Sequence, residues 1–82
     1  MSTMKKYINQ LGVEIELDIS DEACNEFGFK HNQKVENPVQ RWTGVVKGVL
    51  QQSEGPAILC IMLGRTDNRV TYVEDPTSWC PV

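Results

Sequence analysis

The chain has no closely spaced cysteine pair, no signal-peptide pattern and no membrane-length apolar run. Its three cysteines, Cys24, Cys60 and Cys80, are an odd number and lie far apart, whereas disulfide scaffolds use even numbers and structural zinc sites use close pairs. The hydrophobic segment that follows the positive charges of a signal peptide is missing after Lys5 and Lys6. The longest apolar run, residues 57–63, is too short to cross a bilayer. We therefore expect an intracellular, cytoplasmic protein with no membrane partner, no metal site and no cofactor.

The chain also lacks a cluster of positive charge. Its 8 Lys and Arg residues are scattered among 11 Asp and Glu residues, which gives a net charge of −3. Binding to nucleic acid depends on clustered cations that displace counterions from the phosphates. We therefore expect a protein or peptide partner rather than a nucleic acid.

The length of the chain permits one domain and not two. Domains typically contain about 100–150 residues, and this chain has 82. An apolar share of 40% and a charged share of 23% are ordinary for a globular protein. We expect a single domain over residues 1–82, in which residues 1–3 and 76–82 are candidates for loose ends.

The clearest local pattern is the alternation of apolar and acidic side chains in residues 13–19. A period of two indicates a strand with one buried face and one solvated face. Residues 4–8 are a candidate for a preceding strand, joined to it near residues 9–10. The sequence therefore favours an N-terminal β-hairpin.

A short helix is expected next in the chain. Ser20 precedes Asp21 and Glu22, and a serine followed by acidic residues is typical of a helix start. Gly28 is suited to the left-handed conformation that ends a helix. These signals predict one or two helical turns over about residues 21–27.

The remaining sequence predicts short strands separated by turns. Residues 43–50 are rich in valine and contain Gly44 and Gly48, which within a strand usually mark a bulge or a close backbone approach. Residues 57–63 and 70–73 are further strand candidates bounded by turn signals. The whole pattern predicts a mainly β fold, as a small, strongly bent antiparallel sheet or partly closed barrel with one short helix.

Four segments resemble, in their order, the strands of small SH3-like β-barrel modules. They are Lys34-Val35, Gly44-Val45-Val46-Lys47-Gly48-Val49, Leu59-Cys60-Ile61-Met62-Leu63 and Val70-Thr71-Tyr72-Val73. Such barrels commonly carry a Gly-Asp turn before the first strand, where this chain has Asn32-Gln33. Asparagine can adopt the same left-handed turn. The resemblance covers residues 31–73 and implies a binding module, without assigning any ligand residue.

Aromatic residues are the main candidates for a binding site, because exposed Trp and Tyr bury large areas at a small entropic cost. Trp42 follows Arg41 after a turn signal, at a position where barrel modules often expose a ligand-facing ring. The alternative is that Trp42 caps the open end of the core. We predict a non-enzymatic binding site that contains Trp42, Tyr72, Arg41 and Phe29.

Reactive side chains are few. Cys24 and the single histidine, His31, would form a thiolate pair only if the fold brought them together, and no third orienting group is evident. With Cys60 and Cys80 they make four potential zinc ligands, but none of these are closely spaced. The sequence favours a packed cysteine and a turn histidine over a small Cys/His enzyme.

Three acidic residues, Glu14, Glu16 and Asp18, share one face of the predicted strand. A glycosidase-type pair would have to face each other across a substrate. We interpret these residues as a solvated surface that discourages edge pairing, and the docking of a basic peptide there is an open alternative.

Residues 57–63 are apolar on both faces of their strand. One face can serve the barrel core, and the other must be covered by the helix, by the tail with Trp79 or by another molecule. We expect cover from within the chain. The alternative function is a structural or assembly unit, including a homodimer, that associates through this strand.

Overall fold

The computed structural model describes residues 3–82 and is mainly β, with seven strands and one short α-helix. The strands are β1 (Met4–Ile8), β2 (Glu14–Asp18), β3 (Lys34–Asn37), β4 (Trp42–Leu50), β5 (Ala57–Met62), β6 (Val70–Tyr72) and β7 (Cys80–Pro81). Helix α1 (Asp21–Asn25) lies between β2 and β3, and a 3-10 turn (Pro76–Ser78) precedes β7. The predicted fold class is confirmed. Met1 and Ser2, which belong to the predicted loose start, lie outside the described residues.

Strands β1 and β2 form the expected hairpin in a regular antiparallel register. The side-chain oxygen of Asn9 accepts hydrogen bonds from the backbone N–H groups of Leu11, at 2.9 Å, and Val13, at 3.0 Å. An asparagine used in this way replaces backbone hydrogen bonds in a tight turn. Leu17 is fully buried on β2, whereas Val13, at the turn, is exposed.

Strand β4 is the central strand of the sheet. It pairs with β5 along one edge and with β3 and then β2 along the other. Its register with β5 shifts between Val46 and Gly48, so that Lys47 is the extra residue of a β-bulge. A Cβ atom on Gly48 would lie 2.9 Å from the carbonyl oxygen of Asp18 and 2.9 Å from Cβ of Leu17. Glycine therefore permits β2 to lie directly against the bend in β4.

The seven-stranded sheet is not closed. Asn9, the residue just after β1, forms an isolated parallel bridge with Val70 of β6. Beside it, the Gln10 side chain donates to the carbonyl oxygen of Arg69 at 3.3 Å, and the Arg69 guanidinium donates to the carbonyl oxygen of Gln10 at 3.4 Å. These contacts hold the two sides of the strongly bent sheet together without a continuous ladder.

Helix α1 begins where the sequence predicts. Ser20 Oγ accepts a hydrogen bond from the N–H of Ala23 at 3.3 Å, and two acidic residues in the first turn complement the helix N-terminus. The helix ends at Asn25, earlier than expected, because residues 26–28 form a tighter turn. Gly28 closes this turn with a φ of 83°, as its position predicts.

The two faces of β5 belong to two hydrophobic clusters. The larger cluster consists of Cys24, Phe29, Val35, Val46, Val49, Ile58, Cys60, Val73 and Trp79. The smaller cluster consists of Leu17, Leu59 and Val70. Helix α1 and the tail cover one face of β5, since Cys24 and Trp79 pack with Ile58 and Cys60, while Leu59 packs on the other face. The chain itself thus covers both faces at residues 58–60, whereas Leu63, at the end of the segment, is 49% exposed.

Residues 76–82, the candidates for a loose tail, are packed against the sheet. Trp79 is 6% exposed, β7 pairs with β3, and the N–H of Val82 donates to the carbonyl oxygen of Lys34 at 2.9 Å. Because β7 has two residues, burial of Trp79 is the main anchor of this segment. The tail is part of the folded domain.

Candidate functional site

A groove of about 660 Å³ lies where the β3–β4 hairpin, the end of β5, β6 and the tail meet. We call it the open groove. It is lined by Asn37, Val39, Gln40 and Trp42 from the hairpin, by Met62, Leu63, Arg65, Thr71 and Tyr72 from β5, β6 and their connection, and by Glu74, Asp75, Ser78 and Trp79 from the tail.

The open groove gathers exposed apolar residues from separate parts of the chain. Val39 is 86% exposed, Trp42 51%, Leu63 49% and Tyr72 48%. Large apolar side chains that are exposed singly are ordinary, whereas a contiguous patch with a polar rim is typical of an interaction site. Their convergence makes the groove the leading candidate for a functional site.

The tip of the β3–β4 hairpin is fixed by a buried asparagine. The Oδ1 atom of Asn37 accepts hydrogen bonds from the N–H groups of Val39, at 3.1 Å, and Gln40, at 3.2 Å. Arg41 then adopts a left-handed conformation with a φ of 59°, and β4 begins at Trp42. The turn therefore places Val39 and Trp42 at the same edge of the groove.

The floor of the groove is continuous with the larger cluster. Trp79 belongs to that cluster and also lines the groove. Its indole N–H donates to the carbonyl oxygen of Glu74 at 3.2 Å, which satisfies the one polar group of a buried ring. Met62 packs against the same cluster, and its sulfur lies 3.8 Å from Sγ of Cys60. A ligand in the groove would thus rest on a firmly packed surface.

Charged groups stand beside the apolar residues. The carboxylate of Asp75 accepts hydrogen bonds from the hydroxyls of Thr77 and Ser78, each at 2.6 Å. Hydrogen bonds from Ser78 and then Thr77 lower the pKa of Asp75, so its carboxylate is ionised at neutral pH. Glu74 and Arg65 also line the groove. Its rim can therefore make charge-assisted hydrogen bonds that fix the orientation of a ligand.

The structure brings together two of the four predicted site residues. Trp42 and Tyr72 both line the open groove. Trp42 belongs to neither cluster, so it does not cap the core. Arg41 is exposed in the adjoining turn but does not line the groove. Phe29 packs in the larger cluster, is 3% exposed and does not line the groove.

The surroundings of Cys24 are opposite to those of a catalytic thiol. Burial raises the pKa of Cys24, and the negative charges of Asp21 and Asp18 raise it further. Burial and the positive charge of Lys47 lower the pKa of His31. A reactive cysteine needs a lowered pKa and a cationic neighbour, so these groups give no chemical support to a Cys/His enzyme.

Burial likewise raises the pKa of Cys60, to about 11. Within residues 3–82, no three His, Cys, Asp or Glu side chains are grouped in a way that could hold a metal ion. The same part of the chain contains no helix that is both long enough and apolar enough to span a bilayer.

Strand β5 offers little free surface for the assembly alternative. Ile58, Leu59 and Cys60 are at most 1% exposed, and β4 and β6 occupy both edges of the strand. Association through residues 57–63 would require one of these neighbours to leave. Leu63, just beyond the strand, is exposed, but it belongs to the open groove.

Several groove residues were missed by sequence reasoning. Asp75 with hydroxyl residues two and three positions later is a local signal for a side-chain-stabilised turn, and Val39 is an apolar residue in a turn. Leu63 carries no comparable local signal, since it continues an apolar strand. Its exposure depends on where β5 ends.

Comparison with known proteins finds no family model, curated protein or solved structure that matches this chain.

Proposed function

We propose that the protein is a non-enzymatic interaction module of SH3-like type that binds a peptide or a segment of a partner protein in the open groove. The observation that carries this proposal is the convergence of Val39, Trp42, Leu63 and Tyr72, all about half exposed or more, on one groove. Aromatic residues of this kind are the usual anchors of protein interfaces.

The dimensions and chemistry of the groove support a peptide ligand. A volume of about 660 Å³ lies within the range of sites that enclose several side chains or a small ligand. Arg65, Glu74 and Asp75 can contact backbone and polar groups of the ligand, while Trp42 offers apolar area. The mixed charge of this rim and the net charge of −3 favour a protein partner over nucleic acid.

The strand order supports the SH3-like part of the proposal. Strands β3 to β6 follow one another as antiparallel neighbours, and the short β7 returns to pair with β3. We place this module inside the cell, where its three free cysteines would stay reduced.

Selection from a random peptide display library tests the proposal. The immobilised wild-type protein serves as bait, and the affinity of each selected peptide is then measured for wild type and for the Trp42→Ala variant. We expect Trp42→Ala to weaken binding of the selected peptide by about thirtyfold or more, because truncating an aromatic anchor typically costs about 2 kcal/mol. Fluorescence polarisation with the labelled peptide measures this change.

The matched control is Leu11→Ala, which removes an apolar side chain that is 86% exposed and does not line the groove. It should bind the peptide as the wild type does. Circular dichroism should show that both variants are folded. Equal peptide affinities for wild type and Trp42→Ala, or failure to select any peptide, would contradict the proposal.

A further inference from the structure

Lysines that are far apart in the sequence lie near one another in the folded chain. Lys47 is the extra residue of the bulge in the central strand β4. On one edge of β4, Lys34 belongs to β3. Beside the bulge, Leu17 of β2 lies against Gly48, and Lys5 of β1 is the register partner of Leu17. Three neighbouring parts of the sheet thus each carry a lysine around the bulge.

The connection that leads into β3 is held against the same bulge. The N–H of Asn32 donates to the carbonyl oxygen of Val46 at 2.7 Å, and the ammonium group of Lys47 donates to Oδ1 of Asn32 at 3.0 Å. The N–H of Gln33 donates to the carbonyl oxygen of Lys30 at 3.1 Å. The tight turn therefore holds the backbone at Lys30 beside the bulge as well.

His31 lies within this group of lysines. Its imidazole is partly buried, and this burial lowers its pKa. The positive charge of Lys47 lowers the pKa further, the negative charge of Asp21 raises it, and the positive charge of Lys5 lowers it. Lys5 and Lys47 are therefore both near His31. We call this surface the basic patch and define it by Lys5, Lys30, His31, Lys34 and Lys47.

The lysines of the basic patch have no carboxylate partner. Within residues 3–82, the one salt bridge joins Lys6 to Glu14, at 3.3 Å, and Lys6 lies outside the patch. The ammonium group of Lys5 lies 5.5 Å from the centre of the Tyr7 ring, which is a neutral neighbour. The net charge of the chain is −3, so a group of lysines without counter-charges is a local reversal of its overall sign. Such a patch attracts a negatively charged partner.

We propose that the basic patch is a second interaction surface, which binds an acidic segment of a partner protein. The carboxylates of this segment pair with the ammonium groups of the patch, beginning with the exposed Lys30 and Lys34. Complementary charges across an interface speed association and fix the orientation of the partner. None of the patch residues lines the open groove, so this surface acts independently of the groove.

The borders of the patch favour a short acidic peptide over a nucleic acid. Asp21 is close enough to act on His31, and the exposed Glu36 is two residues beyond Lys34 on β3. A DNA duplex carries one negative charge per about 1.7 Å of its length, so it would extend over these carboxylates. A peptide with a few carboxylates can be confined to the lysines.

A nuclear magnetic resonance titration with capped hexaglutamate tests the proposal. His31 is the single histidine, so its imidazole signals report on the patch alone. At constant neutral pH and about 10 mM salt, we expect saturable shifts of these signals, while the indole signal of Trp42 stays unchanged. Raising the salt to about 100 mM shortens the Debye length from roughly 30 to 10 Å and should weaken binding by at least about fivefold.

Two double variants separate the patch from net charge. Lys30→Gln with Lys34→Gln removes two exposed lysines of the patch, and Lys6→Gln with Arg41→Gln removes the same charge from exposed positions outside it. We expect the first to weaken binding of hexaglutamate by at least about threefold, because two exposed ion pairs are lost. The second should bind within about twofold of wild type. Circular dichroism should show that both are folded.

Several results would overturn the proposal. They are the absence of a saturable shift at His31 in low salt, equal losses for the two double variants, and shifts that affect Trp42 instead of His31, which would place the peptide in the open groove. Tighter binding of hexathymidylate than of hexaglutamate at the patch would identify a nucleic acid as the partner and would also overturn it.

Discussion

In the smaller cluster, Leu59 is 1% exposed and is covered by the β1–β2 hairpin and β6; at the open groove, Leu63 is 49% exposed. The two tryptophans differ in the same way, since Trp79 is buried and Trp42 is half exposed. The leucines thus lie at a covered and an uncovered end of the sheet, whereas Trp79 is the buried floor of the same groove at which Trp42 is exposed. The chain therefore covers one end of its sheet and leaves apolar side chains exposed at the other end.

The largest expected difference is between the tryptophans. Trp79→Ala removes a ring packed in the larger cluster and should lower the free energy of unfolding by about 3–5 kcal/mol. That is a large part of the roughly 4–12 kcal/mol expected for a domain of this size. Trp42→Ala should change it by about 0.5 kcal/mol or less. Urea unfolding followed by circular dichroism measures both, and similar losses would place Trp42 in the core.

The leucines give a second matched pair. Leu59→Ala leaves a cavity between the hairpin and β5 and should cost about 2–5 kcal/mol, whereas Leu63→Ala should have little effect on stability. Thermal unfolding is a suitable measurement, since about 1 kcal/mol shifts Tm by roughly 4–8 °C in a domain of this size. If Leu63→Ala were equally destabilising, the groove would be a closed part of the core.

A smaller effect tests how the sealed end is closed. Gly48→Ala introduces a Cβ atom within 2.9 Å of β2 backbone and side-chain atoms, so it should push the hairpin away and cost about 1–3 kcal/mol. Gly44→Ala is the control, because its nearest contact would be longer, 3.1 Å to Sγ of Cys60. Denaturant unfolding should show a smaller loss for Gly44→Ala. The reverse order would mean that close approach of β2 is not what seals this end.

The smallest effect concerns pH at the rim of the groove. The pKa of Asp75 is lower in the folded protein than its ordinary value of 3.8, because Ser78 and Thr77 donate hydrogen bonds to its carboxylate. Its stabilising contribution is therefore present above pH 3.8 and is lost as the pH falls through the lower folded-state pKa. We expect Asp75→Asn to be less stable than wild type near neutral pH, with the difference vanishing in acid. A difference that persists unchanged below the folded-state pKa would rule out this contribution.

Local patterns predicted the hairpin, the helix start at Ser20 and the apolar strand β5 well. In each case, neighbouring residues determine the structure: alternation sets the strand face, and a serine hydroxyl satisfies an unpaired N–H at the helix start. The candidate site was predicted in part, through Trp42 and Tyr72.

Long-range contacts determine the features that were missed. Phe29 and Trp79 are both aromatic residues near turns or chain ends, and nothing local shows that both pack against β5. The two-residue β7 carries no strand pattern of its own and exists because β3 offers it a hydrogen-bonding edge. The open groove likewise requires segments far apart in sequence to meet.

The β1–β2 hairpin is joined to β4 by a single ladder pair, Asp18–Val49, and to β6 by the Asn9–Val70 bridge. The hydrogen-bonded pairings of β3 with β4, β4 with β5 and β5 with β6 do not involve the hairpin. If the hairpin were to separate as one unit, the groove-bearing part of the sheet would therefore keep its own hydrogen bonds. Such opening would release Leu17 from its cluster and leave the backbone of the open groove unchanged.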